Sequence, residues 1–189
     1  MTVPLVKQAH NKLSGYIQDG DVVVDATMGN GFDTVFLAQA VGKHGKVYAF
    51  DVQAKAIDST KARLNEAGVT ERVCLIHDSH ANLSVHLKSE NIGTIRCAMF
   101  NLGYLPGTDK ADKTKPQSTI QALNATLGLL GDSGVISVLA YTGHQGGKEE
   151  AEKVKDWAAS LSKSQFNVAI EIPESLNISP PEWIFVECR

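Results

Sequence analysis

A short apolar run that breaks on two glycines constrains this chain more than any other feature. It reads Val22-Val23-Val24-Asp25-Ala26-Thr27-Met28-Gly29-Asn30-Gly31-Phe32-Asp33. Val22, Val23, Val24 and Ala26 surround a single acid, Asp25. An apolar run of this kind, stopped by glycine, suits a strand buried on both faces. Gly29 and Gly31 let the backbone turn sharply and come close to a ligand. A helix that begins after the turn directs its free N–H groups at whatever lies in it. The pattern predicts a parallel α/β sheet with a ligand site at the carboxyl end of its first strand.

The flanking charges say which ligand. A dinucleotide fingerprint, G-x-G-x-x-G, needs glycine where this chain has Thr34. Asp25 stands just before the turn and Asp33 just after it. Two carboxylates repel a pyrophosphate but attract a cation. S-adenosylmethionine carries an ammonium and a sulfonium and no phosphate, so D-x-x-x-G-x-G fits it better. Residues 46–51 then read as a second strand ending at Asp51. That acid lies about 20 residues past the glycines, where a carboxylate takes both ribose hydroxyls. Asp51 also stands where a helix N-cap would, before a helical pattern over residues 53–67, and both roles can hold together.

The rest of the chain continues the alternation. Helical spacing is expected over residues 4–17, 33–41, 118–130 and 148–161, and strands over 72–77, 95–100, 134–140, 166–172 and 183–188. The last two strands have no helix between them. The expectation is a Rossmann-like three-layer α/β sandwich, with a seven-stranded, mostly parallel sheet and one antiparallel strand at the end. This organisation resembles that of class I methyltransferases. No repeat or linker divides the 189 residues, which suffice for one domain spanning 1–189.

Charge and cysteine usage narrow the partners. The formal net charge of −3 gives no global basic field, so a nucleic-acid partner needs a local patch. The densest one is Lys110, Lys113 and Lys115, interleaved with Asp109 and Asp112. Cys74, Cys97 and Cys188 are odd in number and form no CxxC pair, so core packing is expected, with no disulfide framework and no metal site. No secretory leader stands out and no segment approaches ~18 consecutive apolar residues, which places the expected protein in the cytoplasm.

In a doubly wound sheet, ligands sit beyond the carboxyl ends of the strands. Those ends hold Asp25, Asp51, Asp78-Ser79-His80, Asn101 and residues 141–144. Asp78 or Ser79 can bond an adenine amino group, or cap the next helix. Asn101-Leu102-Gly103-Tyr104 places a polar residue, two turn residues and an aromatic where amino-methylating enzymes carry them. There Asn101 can hold a reacting amine while Tyr104 packs on a base. His10, on the opening helix, reads from its spacing as a histidine at the core edge, with a ligand contact as the alternative.

Four blocks occur in order: residues 25–34, Phe50-Asp51-Val52-Gln53, residues 100–107 (Phe100-Asn101-Leu102-Gly103-Tyr104-Leu105-Pro106-Gly107) and residues 143–150 (Gly143-His144-Gln145-Gly146-Gly147-Lys148-Glu149-Glu150). Together they resemble the small bacterial family labelled rRNA methylases, and the likeness runs over residues 10–181. Characterised members are tRNA methyltransferases that methylate the aminomethyl group of the wobble uridine, giving 5-methylaminomethyl-2-thiouridine. The resemblance implies S-adenosylmethionine as cofactor, the tRNA anticodon region as partner and a homodimer. By matched position it implies that Asn30, Asp33, Asp51, Gln53, Asp78, Ser79 and Asn101 line the cofactor site, with Asp25, Gly29 and Gly31 completing the turn. It puts His10, His80, Tyr104 and His144 toward the substrate, with His80 also bordering the cofactor. Asn101, Tyr104 and His144 are the expected catalytic set; His10, Tyr104, Lys110, Lys113 and Lys115 are the expected substrate contacts. Three other readings stay open: an amino-group methyltransferase on rRNA or DNA bases, a nicotinamide-dependent dehydrogenase, and a nucleoside-binding domain without catalysis.

Overall fold

Parallel strands buried on both faces need helices on both faces, and the chain supplies them. The computed structural model describes residues 3–103, 113–173 and 179–189. Tyr104 and Lys110 lie outside the described residues. In chain order the elements are α1 (Leu5–Leu13), β1 (Val22–Asp25), α2 (Phe32–Ala40), β2 (Lys46–Asp51), α3 (Ala54–Ala67), β3 (Val73–His77) and α4 (Leu83–Ser89). They continue with β4 (Ile95–Leu102), α5 (Pro116–Leu127), β5 (Leu130–Ala140), α6 (Gly147–Ser160), β6 (Phe166–Glu171) and β7 (Glu182–Cys188). The seven-stranded sheet has the order β3-β2-β1-β4-β5-β7-β6. Every pairing from β3 to β5 is parallel. β7 runs antiparallel between β5 and β6, so it is the single reversed strand, as expected.

Strand side chains alternate between faces with a period of two, and this sorts the core into two clusters. Val24, Tyr48, Phe50, Ala98, Phe100, Ile136 and Val138 pack with Leu83 and Leu87 of α4, Leu123 of α5 and Val154 of α6. Val23, Val47, Ala49, Cys97, Met99, Val135 and Leu139 pack on the other face with Leu5, Ala9 and Leu13 of α1, Leu37 of α2 and Leu64 of α3. The same parity decides where polar residues at the strand ends point. Asp25, Asp51 and Asn101 follow Val23, Ala49 and Met99 by two residues each, so all three project toward α1, α2 and α3.

Three boundaries differ from expectation for local reasons. The opening helix stops at Leu13, and residues 14–16 continue as a turn closed by Tyr16 N–H donating to Leu13 C=O at 2.9 Å. The fifth helix runs from Pro116 to Leu127, and its strand begins at Leu130, not at residue 134. Leu130 pairs with Ile95, and the register shift before Cys97 is taken up where Ser133 adopts φ 57°. Helix α4 was not anticipated at all. No helix among the described residues is long and apolar enough to cross a membrane.

Candidate active site

The strand order reverses between β1 and β4, which is where a doubly wound sheet opens a ligand crevice. A cavity of about 1080 Å³ lies there, beyond the carboxyl ends of the strands. The turn after β1 forms its floor. Gly29 (φ 50°) and Gly31 (φ 82°) take left-handed conformations that side chains resist. Gly31 must also be small: a Cβ there would lie 2.8 Å from the Thr60 Cα of α3. Gly29 N–H donates to Asp51 Oδ2 at 3.0 Å, and Gln53 N–H donates to Asp51 Oδ1 at 3.0 Å. Asp51 thus clamps the glycine turn to the end of β2. Each carboxylate oxygen keeps a further lone pair for a ligand.

Asn101 closes the turn from β4. Its N–H donates to Thr27 Oγ1 at 2.7 Å, and its side-chain Nδ2 donates to Asp33 Oδ2. The other Asp33 oxygen, Oδ1, lies 2.5 Å from His10 Nε2 of α1. His10 is itself fixed by stacking on Phe36, with ring centroids 3.9 Å apart and planes 6° from parallel. Parity and packing therefore join three expected site residues, His10, Asp33 and Asn101, in one chain of hydrogen bonds. Asn101 Oδ1 is buried and has no hydrogen-bond partner among the described residues. A buried acceptor left unpaired costs about 1–3 kcal/mol, which a ligand N–H would recover.

His80 offers a second acceptor. Its Nδ1 donates to the Ala26 carbonyl at 3.1 Å, and its Nε2 has no partner among the described residues. Burial holds its pKa below the ordinary histidine value, so the ring stays neutral with a lone pair on Nε2. Asp78 is tied up locally: its Oδ2 accepts from His86 Nε2 at 2.8 Å, and Asn82 Nδ2 donates to both of its oxygens. The His86 bond, with lesser local bonds, holds its carboxyl below the usual range.

Asp25 and Gly31 stand behind the cavity wall, whereas Asn30, Asp33, Asp51, Gln53, Asp78, Ser79, His80, His10 and His144 line it. Asp25 is fully buried. Its Oδ1 accepts Thr27 N–H at 3.2 Å and its Oδ2 accepts the Thr34 hydroxyl at 2.6 Å. Burial, followed by the Asp33 charge, pushes its pKa up to about 7. Burial and the same Asp33 charge raise the Tyr141 phenol.

Lys113 and Lys115 also line the cavity. Lys113 Nζ donates to the Gln145 carbonyl at 2.5 Å. Glu150 of α6 is buried beneath, accepting the Thr114 hydroxyl at 2.6 Å and the Thr119 hydroxyl at 2.7 Å. Gly147 lets His144 sit close, since a Cβ there would lie 2.6 Å from His144 Cε1. Among the wall residues that escaped the sequence reading are Phe32 and Val52. Phe32 is exposed beside the glycine turn with the Arg63 guanidinium stacked 3.6 Å from its ring centre, and Val52 is exposed just after Asp51. An apolar residue immediately following a turn or a strand-end acid was the available signal.

Residues 47–187 match the family described as "Putative rRNA methylase". The chain belongs to this family. Among its relatives, a chloroplastic tRNA (mnm(5)s(2)U34)-methyltransferase of Arabidopsis thaliana is 40% identical over 166 residues, covering 84% of this chain and 60% of that protein. The chain thus spans less than two thirds of the length of that relative. A "putative rRNA-methylase" of Clostridium thermocellum is 37% identical, with a TM-score of 0.94 and 100% of both chains covered. A "putative methyltransferase" of Streptococcus mutans, solved with S-adenosylhomocysteine, is 32% identical, with a TM-score of 0.88 and 100% of both chains covered. Fold and family are those of S-adenosylmethionine-dependent class I methyltransferases.

The residues present fit that cofactor. His80 Nε2, an unpaired buried atom described above, is an acceptor, and Asp33 and Asp51 add negative charge. These carboxylates suit a donor-rich cation and oppose a phosphate beside them, while Lys113 and Lys115 line the same cavity.

Proposed function

We propose that this rRNA-methylase-family chain binds S-adenosylmethionine in the β1–β4 crevice and methylates an amine on tRNA. The amine is the aminomethyl group of the modified wobble uridine, and the product is 5-methylaminomethyl-(2-thio)uridine. When bound, the cofactor supplies a methyl group on a cationic sulfur.

The chain's own residues do the placing. Asp51 offers its carboxylate to the ribose hydroxyls, and the backbone of the glycine turn closes against the ligand. Asn101 Oδ1 accepts one N–H of the substrate amine and so aims its lone pair. Asp33, bonded to Asn101 Nδ2, fixes the amide and leaves its oxygen without a partner among the described residues. Tyr104 packs on the uracil, and Lys110, Lys113 and Lys115 meet phosphates. A cavity of about 1080 Å³ compares with roughly 300–1,000 Å³ for ordinary ligand pockets. That leaves room for a nucleobase beside the cofactor, as enzymes that act on extruded bases require.

The observation that carries the amine reading is the buried, unpaired Asn101 Oδ1, held by the Asp33 carboxylate. It matches the needs of a positively charged, hydrogen-donating acceptor. The name of the Arabidopsis relative supports the choice of substrate. The test is a comparison of tRNA nucleosides from cells with and without the protein. Loss of the methylaminomethyl nucleoside with build-up of its aminomethyl precursor is expected. An unchanged tRNA profile with a missing methyl mark on rRNA would overturn the substrate assignment.

A further inference from the structure

An alkylamine has an ordinary pKa of about 10, so near neutrality it arrives as an ammonium with no lone pair to attack. It must lose a proton inside the site, and Asn101 is no base. We propose that His10 takes that proton on Nδ1, with Asp33 as the positioning residue that makes Nδ1 the available atom. The proposal rests on the amine reading above.

The geometry selects the tautomer. Asp33 accepts on both oxygens: from Asn101 Nδ2 on Oδ2 and from His10 Nε2 on Oδ1, the latter at 2.5 Å. Nε2 therefore carries the hydrogen, and the lone pair is on Nδ1. The stacked Phe36 ring stops the imidazole from turning. One carboxylate thus holds both the amide that receives the amine and the base. His10 lines the same cavity as Asn101.

The step balances as a proton transfer. An N–H bond of the ammonium breaks and its electron pair stays on the amine nitrogen. The proton forms Nδ1–H on His10. It then leaves to water, which reaches a side chain that is 22% exposed. His10 contacts Asp33 on α2, and Asp33 in turn acts on Asp25 of β1 and on the Tyr141 phenol after β5. On α1 itself, Lys7 lies three residues before His10.

Three measurements on the full chain test this. Single-turnover methyl transfer to tRNA bearing 5-aminomethyluridine should fall about 10²- to 10⁴-fold near pH 7 in His10→Gln, the usual worth of a general base. The deficit should shrink as pH approaches the amine's own value of about 10, where the base is no longer needed. Cofactor and tRNA dissociation constants should stay within a few-fold of wild type. Without any ligand, nitrogen-15 spectra should show His10 protonated on Nε2, and Asp33→Asn should shift the hydrogen to Nδ1, because the new amide donates toward Nε2. A deficit that does not vary with pH, a normal rate in His10→Gln, or a hydrogen on Nδ1 in the wild type each overturns the assignment. A wild-type protein that transfers no methyl to this RNA refutes the amine reading instead, and the spectra still decide the His10–Asp33 arrangement.

Discussion

Replacing Asp25 by asparagine should stabilise the cofactor-free protein above neutral pH and do nothing in acid. Asp25 is fully buried, and its carboxyl rises from 3.8 to about 7, because of burial first and the Asp33 charge second. The folded chain therefore holds this proton more tightly than the unfolded chain does. Its stabilising contribution is complete below 3.8 and is lost as pH rises through about 7. The rise corresponds to a cost on the order of 4 kcal/mol for the charged form. Asparagine fits the same contacts. Its oxygen accepts Thr27 N–H, and its amide donates to the Thr34 hydroxyl once that hydroxyl turns. Urea unfolding of both proteins from about pH 4 to about pH 8 would reveal the difference. The variant's advantage should grow over that range by up to that amount. A difference independent of pH would refute the reasoning. The same linkage predicts that a cationic ligand releases the Asp25 proton. Affinity for S-adenosylmethionine should then tighten through neutrality, by about tenfold for each unit by which binding lowers this pKa.

Asp51→Ala should abolish measurable cofactor binding by calorimetry, each charge-assisted ribose bond being worth about 1.5–3 kcal/mol; NAD should bind to neither protein. Asn101→Ala should keep cofactor binding within a few-fold but lower kcat by roughly 10², the scale of lost positioning, and a near-normal single-turnover rate would remove Asn101 from the site. Alanine at Lys113 and at Lys115 should each lower the salt slope of RNA binding by about 0.7–1. An unchanged slope would mean that the RNA docks elsewhere.

The parts of this protein that are written locally were legible in its sequence. The Val22–Asp33 stretch states a strand, a turn and a helix start within a few residues, and Asp51 follows at the expected interval. Boundaries set by pairing were not. Gly131 looks like the stop of a helix, yet Leu130 already belongs to β5 because Ile95 lies beside it. Helix α4 was missed because it has only seven residues, and its apolar signal is Leu83 and Leu87 against an exposed Val85. The His10–Asp33–Asn101 chain was the hardest to see. Its members are 23 and 68 residues apart, and only the alternation of β4 turns Asn101 toward the face that α1 and α2 cover. His10, in particular, reads as a core-edge histidine until Phe36 and Asp33 are placed around it.

The most direct test of the central claim is transfer of a labelled methyl group from S-adenosylmethionine to defined RNAs, followed by digestion and mass spectrometry of the nucleosides. The account predicts label in 5-methylaminomethyluridine from tRNA whose wobble uridine carries the aminomethyl group, and none when that group is missing. Label recovered instead on a ring amino group of adenine, guanine or cytosine, from tRNA or rRNA, would contradict it.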